Sequence, residues 1–238
     1  MALHTTHDLA YWHMPKTGGM SVYRILREIS PTCTVINGPR RHSPADEIPP
    51  ELLKGKTLFG TARDPWSWYA SLYQHASGGV EGQEKLKKWG NGDSSFEAAL
   101  YGWTHPSEER VDNQFGVVWA FLEEKTPALR QKLLESRQGL YTWAFDYVYG
   151  NPIRPHILID TSRLTEGMAN LLKVPISQVE GITMQNLATH RPKSAFVDPQ
   201  KKYTDEMREW VRNAERQLIG TLGFEPFWRA PTPLIWIG

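Results

Sequence analysis

The chain is poor in the features that mark the more specialised protein classes. It has one cysteine, Cys33, in 238 residues. That excludes an intrachain disulfide framework and leaves nothing for a cysteine-based zinc site. No apolar run reaches the ~18 residues that a membrane-spanning helix needs. The opening MALHTTHDLAYWH has neither the basic start nor the apolar stretch of a secretory signal, so a cytoplasmic, reducing compartment is expected. Charge of one sign is also lacking. The 27 Lys+Arg stand against 26 Asp+Glu, a formal net charge of +1, which argues against a general nucleic-acid coat. A small anionic ligand needs only a few well-placed cations, so it remains compatible with this balance. There is no internal repeat, no low-complexity tract and no metal-ligand spacing.

What is present is an ordinary globular composition, 40% hydrophobic and 22% charged, at a length that suits one domain spanning 1–238. Tryptophan is abundant, at 10, beside 9 Tyr and 8 Phe. Such side chains either fill a core or line a ligand cleft. Trp89, Trp103, Trp119 and Trp143, in the middle of the chain, fit stacking on a sugar or aromatic ring and fit core packing as well.

Strands and helices alternate. Leu9–His13 reads as a buried strand, followed by a glycine-rich turn and a helix over Met20–Ile29 with apolar residues at Val22, Ile25, Leu26 and Ile29. Thr32–Ile36 is a second strand and Thr57–Ala62 a third. A helix then runs from Pro65, a favoured first helical position, to about Ala76. Ser77–Asp93 reads as an exposed, mobile loop, and 77–150 as a helical and loop insertion that forms part of an acceptor site. Helices are expected at Ser94–Tyr101, Asp112–Glu123 and Pro127–Arg137. His156–Asp160 is a fourth strand with a helix after it to about Lys173. Ile182–Gln200 reads as a long ordered loop and Tyr203–Leu222 as the last helix, started by Thr204 and stopped by Gly223. The tail from Phe224 is expected to pack across the surface. This order implies a three-layer α/β/α fold around a central, mainly parallel sheet, with ligands bound beyond the C-terminal strand ends.

Two motifs begin at such ends. After the first strand comes Pro15-Lys16-Thr17-Gly18-Gly19-Met20-Ser21. A strand that turns through glycines into a helix aims backbone N–H groups and the positive end of the helix dipole at an anion. Lys16 adds a charge, and Thr17 and Ser21 add hydroxyls. The order differs from the nucleotide loop G-x-x-x-x-G-K-[ST], because the lysine precedes the glycines. After the third strand comes Arg63-Asp64-Pro65, with Ser71 eight residues beyond Arg63 and Tyr73 after it. A guanidinium there offers bidentate contacts to a phosphate.

The two motifs together, in this order, resemble those of sulfotransferases that use 3′-phosphoadenosine 5′-phosphosulfate (PAPS). The likeness directly covers about 25 residues, and the stretch from Tyr203 to Glu225 is similar to the end of the bacterial and glycan-type branch. The resemblance implies a P-loop-NTPase-like sulfotransferase fold. Lys16, Thr17, Gly18, Gly19, Met20 and Ser21 would hold the 5′-phosphosulfate, and Arg63 and Ser71 the 3′-phosphate. Arg191 or Lys193, in the basic run His190-Arg191-Pro192-Lys193, would close over the latter. Met20 departs from the usual Thr or Ser. The product would be adenosine 3′,5′-bisphosphate, no metal is required, and the acceptor is a glycan or small molecule bearing a hydroxyl or amine. Arg40 and Arg41 are placed to attract an anionic acceptor. For the general base the candidates are His42 first, then His13, His75 or a carboxylate such as Glu47. Competing readings are a P-loop small-molecule kinase using ATP–Mg2+ and a non-enzymatic protein that keeps the nucleotide fold to bind a partner.

Overall fold

The computed structural model describes residues 2–30, 32–37, 49–77, 80–107, 131, 134–150, 154–189, 202–224 and 235–236. The helix expected at 112–123, most of that at 127–137, and Arg40, Arg41, His42, Glu47, Trp119, His190, Arg191 and Lys193 lie outside them.

The chain divides into two compact units. The first comprises Met1–Arg63, Tyr147–Ala195 and Pro231–Gly238, and it contains the whole sheet. The strands are β1 (Ala2–Thr5), β2 (Leu9–Trp12), β3 (Thr34–Asn37), β4 (Thr57–Ala62), β5 (Ile157–Asp160) and β6 (Ile235–Trp236). They lie in the order β3-β1-β2-β4-β5-β6. β2, β4 and β5 form a parallel ladder, with Trp12 opposite Gly60 and Ala62 opposite Asp160. β1 is antiparallel to both β2 and β3, so β3 points the same way as the parallel trio without touching it. β6 is antiparallel to β5.

The protein is therefore α/β, with a sheet more mixed than the alternation of elements implies. The two unexpected strands explain the difference. Ala2–Thr5 lacks apolar alternation and pairs as a hairpin arm closed by Thr6 N–H donating to Leu9 O at 2.9 Å. Ile235–Trp236, in the tail expected on the surface, adds an edge strand.

One face of the sheet is covered by α1 (Gly19–Ile29) and by the two helices after β5. Tyr11, Phe59 and Ile159 meet Val22, Ile25 and Leu26 of α1, with Leu164, Met168, Ala169 and Val179 from beyond β5. This is the face that the 3.6-residue spacing of α1 predicts. The opposite face presents Ala10, Leu58 and Leu158, all buried. Burial on both faces is what parallel strands require.

The second unit comprises Asp64–Asp146 and Phe196–Ala230. The short α2 (Pro50–Leu53) precedes β4 in the first unit; α3 (Pro65–Ala76), α4 (Val80–Trp89) and α5 (Phe96–Thr104) open the second. Asp64 caps α3 by accepting from Ser67 N–H at 2.8 Å, with Pro65 at the first helical position. Ser95 caps α5. α4 replaces the loop expected over 77–93. Glu, Gln and Lys are strong helix formers, and Leu86 is fully buried. Gly82, which reads as a breaker, is there because a Cβ would run into the Ala76 carbonyl oxygen.

α6 (Leu140–Tyr149) links the units in sequence. α7 (Leu164–Leu172) and α8 (Ile176–Thr189) are the two helices after β5, and α9 (Asp205–Ala214) and α10 (Arg216–Leu222) come last. α8 corrects the loop expected from Ile182. Gly181 hides its pattern, while Val179 is buried in the core and Ile182 packs against it. The expected last helix is two, divided at Glu215, with Thr204 capping the first and Gly223 in the left-handed conformation closing the second. The core of the second unit is aromatic: Trp68 stacks on Tyr141 at 4.4 Å and Tyr69 on Trp103 at 5.9 Å. Trp103 and Trp143 are buried, so neither is an exposed stacking platform.

No helix among the described residues is long and apolar enough to cross a membrane.

Candidate anion-binding site

The parallel strands end together, and the segment between β2 and α1 crosses their C-terminal edge. Two residues in it are left-handed: Lys16 at φ 64° and Gly18 at φ 80°. For glycine this conformation is free, and for lysine it is disfavoured. Gly18 is the N-cap of α1 and provides no side-chain cap. The N–H groups of Gly19 and Met20, the first two of α1, have no helix carbonyl one turn back, so an anion is their natural partner. Gly19 is required for a separate reason, since a Cβ there would enter the His13 ring.

Thr17 is fully buried, and its hydroxyl donates to Met14 O at 2.6 Å. That side chain serves the interior of the unit; a ligand would meet the backbone of Thr17. Met20 is 59% exposed and Ser21 half-buried. Ser21 N–H is bonded to Gly18 O at 2.9 Å.

Arg63 closes β4 and reaches the loop, its Nη1 donating to Lys16 O at 3.4 Å. Burial pulls the Lys16 ammonium down to about 8, and the Arg63 guanidinium adds to the fall. Two cations are thus held near each other in a partly dried setting, which an incoming anion would relieve. Asp160, at the end of β5, balances Arg63 in part. Burial raises its carboxyl, while hydrogen bonds from Ser162 and the charges of Arg63 and Arg163 oppose that rise. Thr161 Oγ1 donates to Ala62 O at 2.6 Å and lies 3.4 Å from Thr17 O, tying β5 to β4 and to the loop.

The structure therefore brings together Lys16, Gly18, Gly19 and Arg63, with His13 against the loop. Ser71 is half-buried on α3 and His75 exposed on its last turn, both in the second unit. His42 and Arg191 lie outside the described residues. Sequence reading gave no role to Asp160 and Thr161. Their signal was available: Asp160 ends the third parallel strand and Thr161-Ser162 follow it, on the edge where ligands of such sheets bind. Among the described residues no group of His, Cys, Asp and Glu is arranged to hold a metal ion. No family model, no curated protein and no solved structure matches this chain.

Proposed function

We propose that this chain is a PAPS-dependent sulfotransferase acting on a hydroxyl or amine of a glycan or small-molecule acceptor. The observation that carries the reading is the pairing of Lys16 with Arg63 beside a helix N-terminus that has no side-chain cap, directly after Pro15-Lys16-Thr17-Gly18-Gly19.

The residues suit the donor's charge. PAPS, when bound, supplies a sulfuryl group and a phosphate oxygen on which negative charge builds as that group departs. Sulfuryl transfer, like phosphoryl transfer, depends on positioning and charge stabilisation. Lys16 and the first N–H groups of α1 serve the 5′ end, and Arg63 serves the 3′-phosphate as a planar, bidentate donor. Asp160 keeps the site from being purely cationic. His42 is the first candidate for the base that takes the acceptor's proton.

Calorimetric titration with adenosine 3′,5′-bisphosphate, against ATP–Mg2+, tests the reading. The bisphosphate is expected to bind without magnesium. Binding of ATP–Mg2+ alone would replace the proposal with the kinase reading.

A further inference from the structure

Thr61 belongs to neither motif, yet two sets of hydrogen bonds meet on it. It lies one place beyond the last paired residues of β2 and β4, Trp12 and Gly60, and it is fully buried.

The first set runs through side chains. Thr17 Oγ1 donates to Met14 O at 2.6 Å, stands 2.8 Å from Thr61 Oγ1, and Thr61 Oγ1 stands 3.0 Å from the Tyr11 hydroxyl. A hydroxyl carries one proton. That of Thr17 is committed to Met14, so Thr17 accepts from Thr61, and Thr61 accepts from Tyr11. The row has one direction, from Tyr11 through Thr61 and Thr17 to the Met14 carbonyl, and each bond polarises the next. Burial raises the Tyr11 phenol far above its ordinary range, which keeps its proton in place.

The second set holds the backbone. The Tyr149 hydroxyl accepts from Thr61 N–H at 2.9 Å and lies 3.1 Å from Trp12 O and 2.9 Å from Thr61 O. It stands between β2 and β4 just past their last pair. Gly60 admits it, since a Cβ there would strike that hydroxyl.

Thr17, at the far end of the strained turn, is therefore tied to Met14 at its start and, through Thr61, to the neighbouring strand. Lys16, between them, is left-handed and close to a like charge. Neither condition favours itself, so the fastening has to hold it. We propose that Thr61 is a positioning residue of the anion site, clasped by Tyr11 and Tyr149, and that it sets the loop conformation that places Lys16 beside Arg63. The ligand part of this inference rests on the function proposed above; the loop part does not.

The test uses the full chain with Thr61→Val, Thr61→Ser and Tyr149→Phe. Valine keeps the shape of threonine and removes the hydroxyl, and serine restores it. Amide hydrogen exchange at residues 16–19 and NMR titration of the Lys16 ammonium report on the loop without any ligand. Calorimetry with adenosine 3′,5′-bisphosphate reports on binding. In Thr61→Val, loop exchange is expected to speed up about tenfold and bisphosphate affinity to fall about tenfold. The Lys16 titration should move from near 8 towards its ordinary range. Thr61→Ser should return each quantity to within about twofold of wild type. If valine does not fold, Tyr149→Phe, which acts on Thr61 through its backbone, is expected to shift loop exchange and Lys16 in the same directions. Wild-type loop exchange and Lys16 titration in a folded valine or phenylalanine variant would overturn the proposal. So would a folded serine variant that restores nothing. A wild type that binds no bisphosphate, with loop responses as expected, overturns the functional reading and leaves the positioning role standing.

Discussion

Lys16 is held in a state that costs the free protein stability. A fall from 10.5 to about 8 corresponds to about 3 kcal/mol of disfavoured charge. The sign follows from linkage. A lysine depressed on folding weakens the fold wherever it is protonated in the unfolded chain, and the cost fades as pH rises from 8 to 10.5. Lys16→Met should therefore raise stability to urea at pH 7 by a few kcal/mol, with the gain closing towards pH 10.5. The same variant should lose bisphosphate binding by at least about a hundredfold, the cost of a desolvated charge-assisted contact. A less stable Lys16→Met at neutral pH would contradict this account of the site. Arg63→Ala addresses the other cation. It should weaken adenosine 3′,5′-bisphosphate by one to two orders of magnitude, about 2 kcal/mol, and leave adenosine 5′-phosphate unchanged, because only the former carries the phosphate assigned to that guanidinium. Equal losses for both ligands would move Arg63 to the 5′ end.

At the scale of elements, the junction of α9 and α10 shows how a buried charge can shape a helix. Glu215 is fully buried and accepts from Tyr141 N–H at 3.3 Å, Thr142 N–H at 2.7 Å, and the hydroxyls of Tyr69 and Thr142. These donors come from α3 and α6, so the carboxylate joins three segments of the second unit. Burial pushes the Glu215 carboxyl up, and the hydrogen bonds of Thr142, Tyr69 and Tyr141 oppose that rise. A carboxyl raised on folding gives stability that is fully present below its unfolded value and is lost as pH rises through the folded one. Glu215→Gln removes that dependence but turns an NH2 group towards donors. It should destabilise by about 2–4 kcal/mol at pH 7 and by more at pH 4, where wild type holds the full contribution of the raised carboxyl, read from urea midpoints at both values. A midpoint equal to wild type at pH 7 would show that the network contributes nothing to the fold.

Across the whole molecule, the charge balance of +1 is compatible with a concentrated positive site. Lys16, Arg63 and helix N–H groups are enough for an anion. A ligand that binds the folded chain alone stabilises it by mass action. Adenosine 3′,5′-bisphosphate at a hundredfold excess over its Kd should add about 2.7 kcal/mol, a rise in Tm of a few degrees. Absence of any shift at saturating bisphosphate would count against the PAPS reading. With PAPS and a working acceptor in hand, His42→Ala should abolish turnover while bisphosphate affinity holds within about twofold. Full activity in that variant would assign the base to another group, with His13 next in line.

Local chemistry made much of this protein legible in its residue order. The apolar spacing of Val22, Ile25 and Leu26 specified α1 and its buried face, because helical period is a property of neighbours in sequence. Pro65, Thr204 and Gly223 marked helix ends for the same local reason. The glycine pair announced a tight turn before α1. Tertiary structure decided the rest. Ala2–Thr5 becomes a strand only because β2 and β3 flank it, and Ile235–Trp236 only because β5 leaves an edge. α4 and α8 needed a surface on which to bury Leu86 and Val179 despite a glycine in each. The displaced titration of Lys16 comes from burial and from Arg63, which is 47 residues away in sequence and linked to it at 3.4 Å in space. Thr17 shows the same division. Its place in the loop was readable from the motif, while the inward turn of its hydroxyl depends on Met14 and Thr61, which folding alone sets beside it.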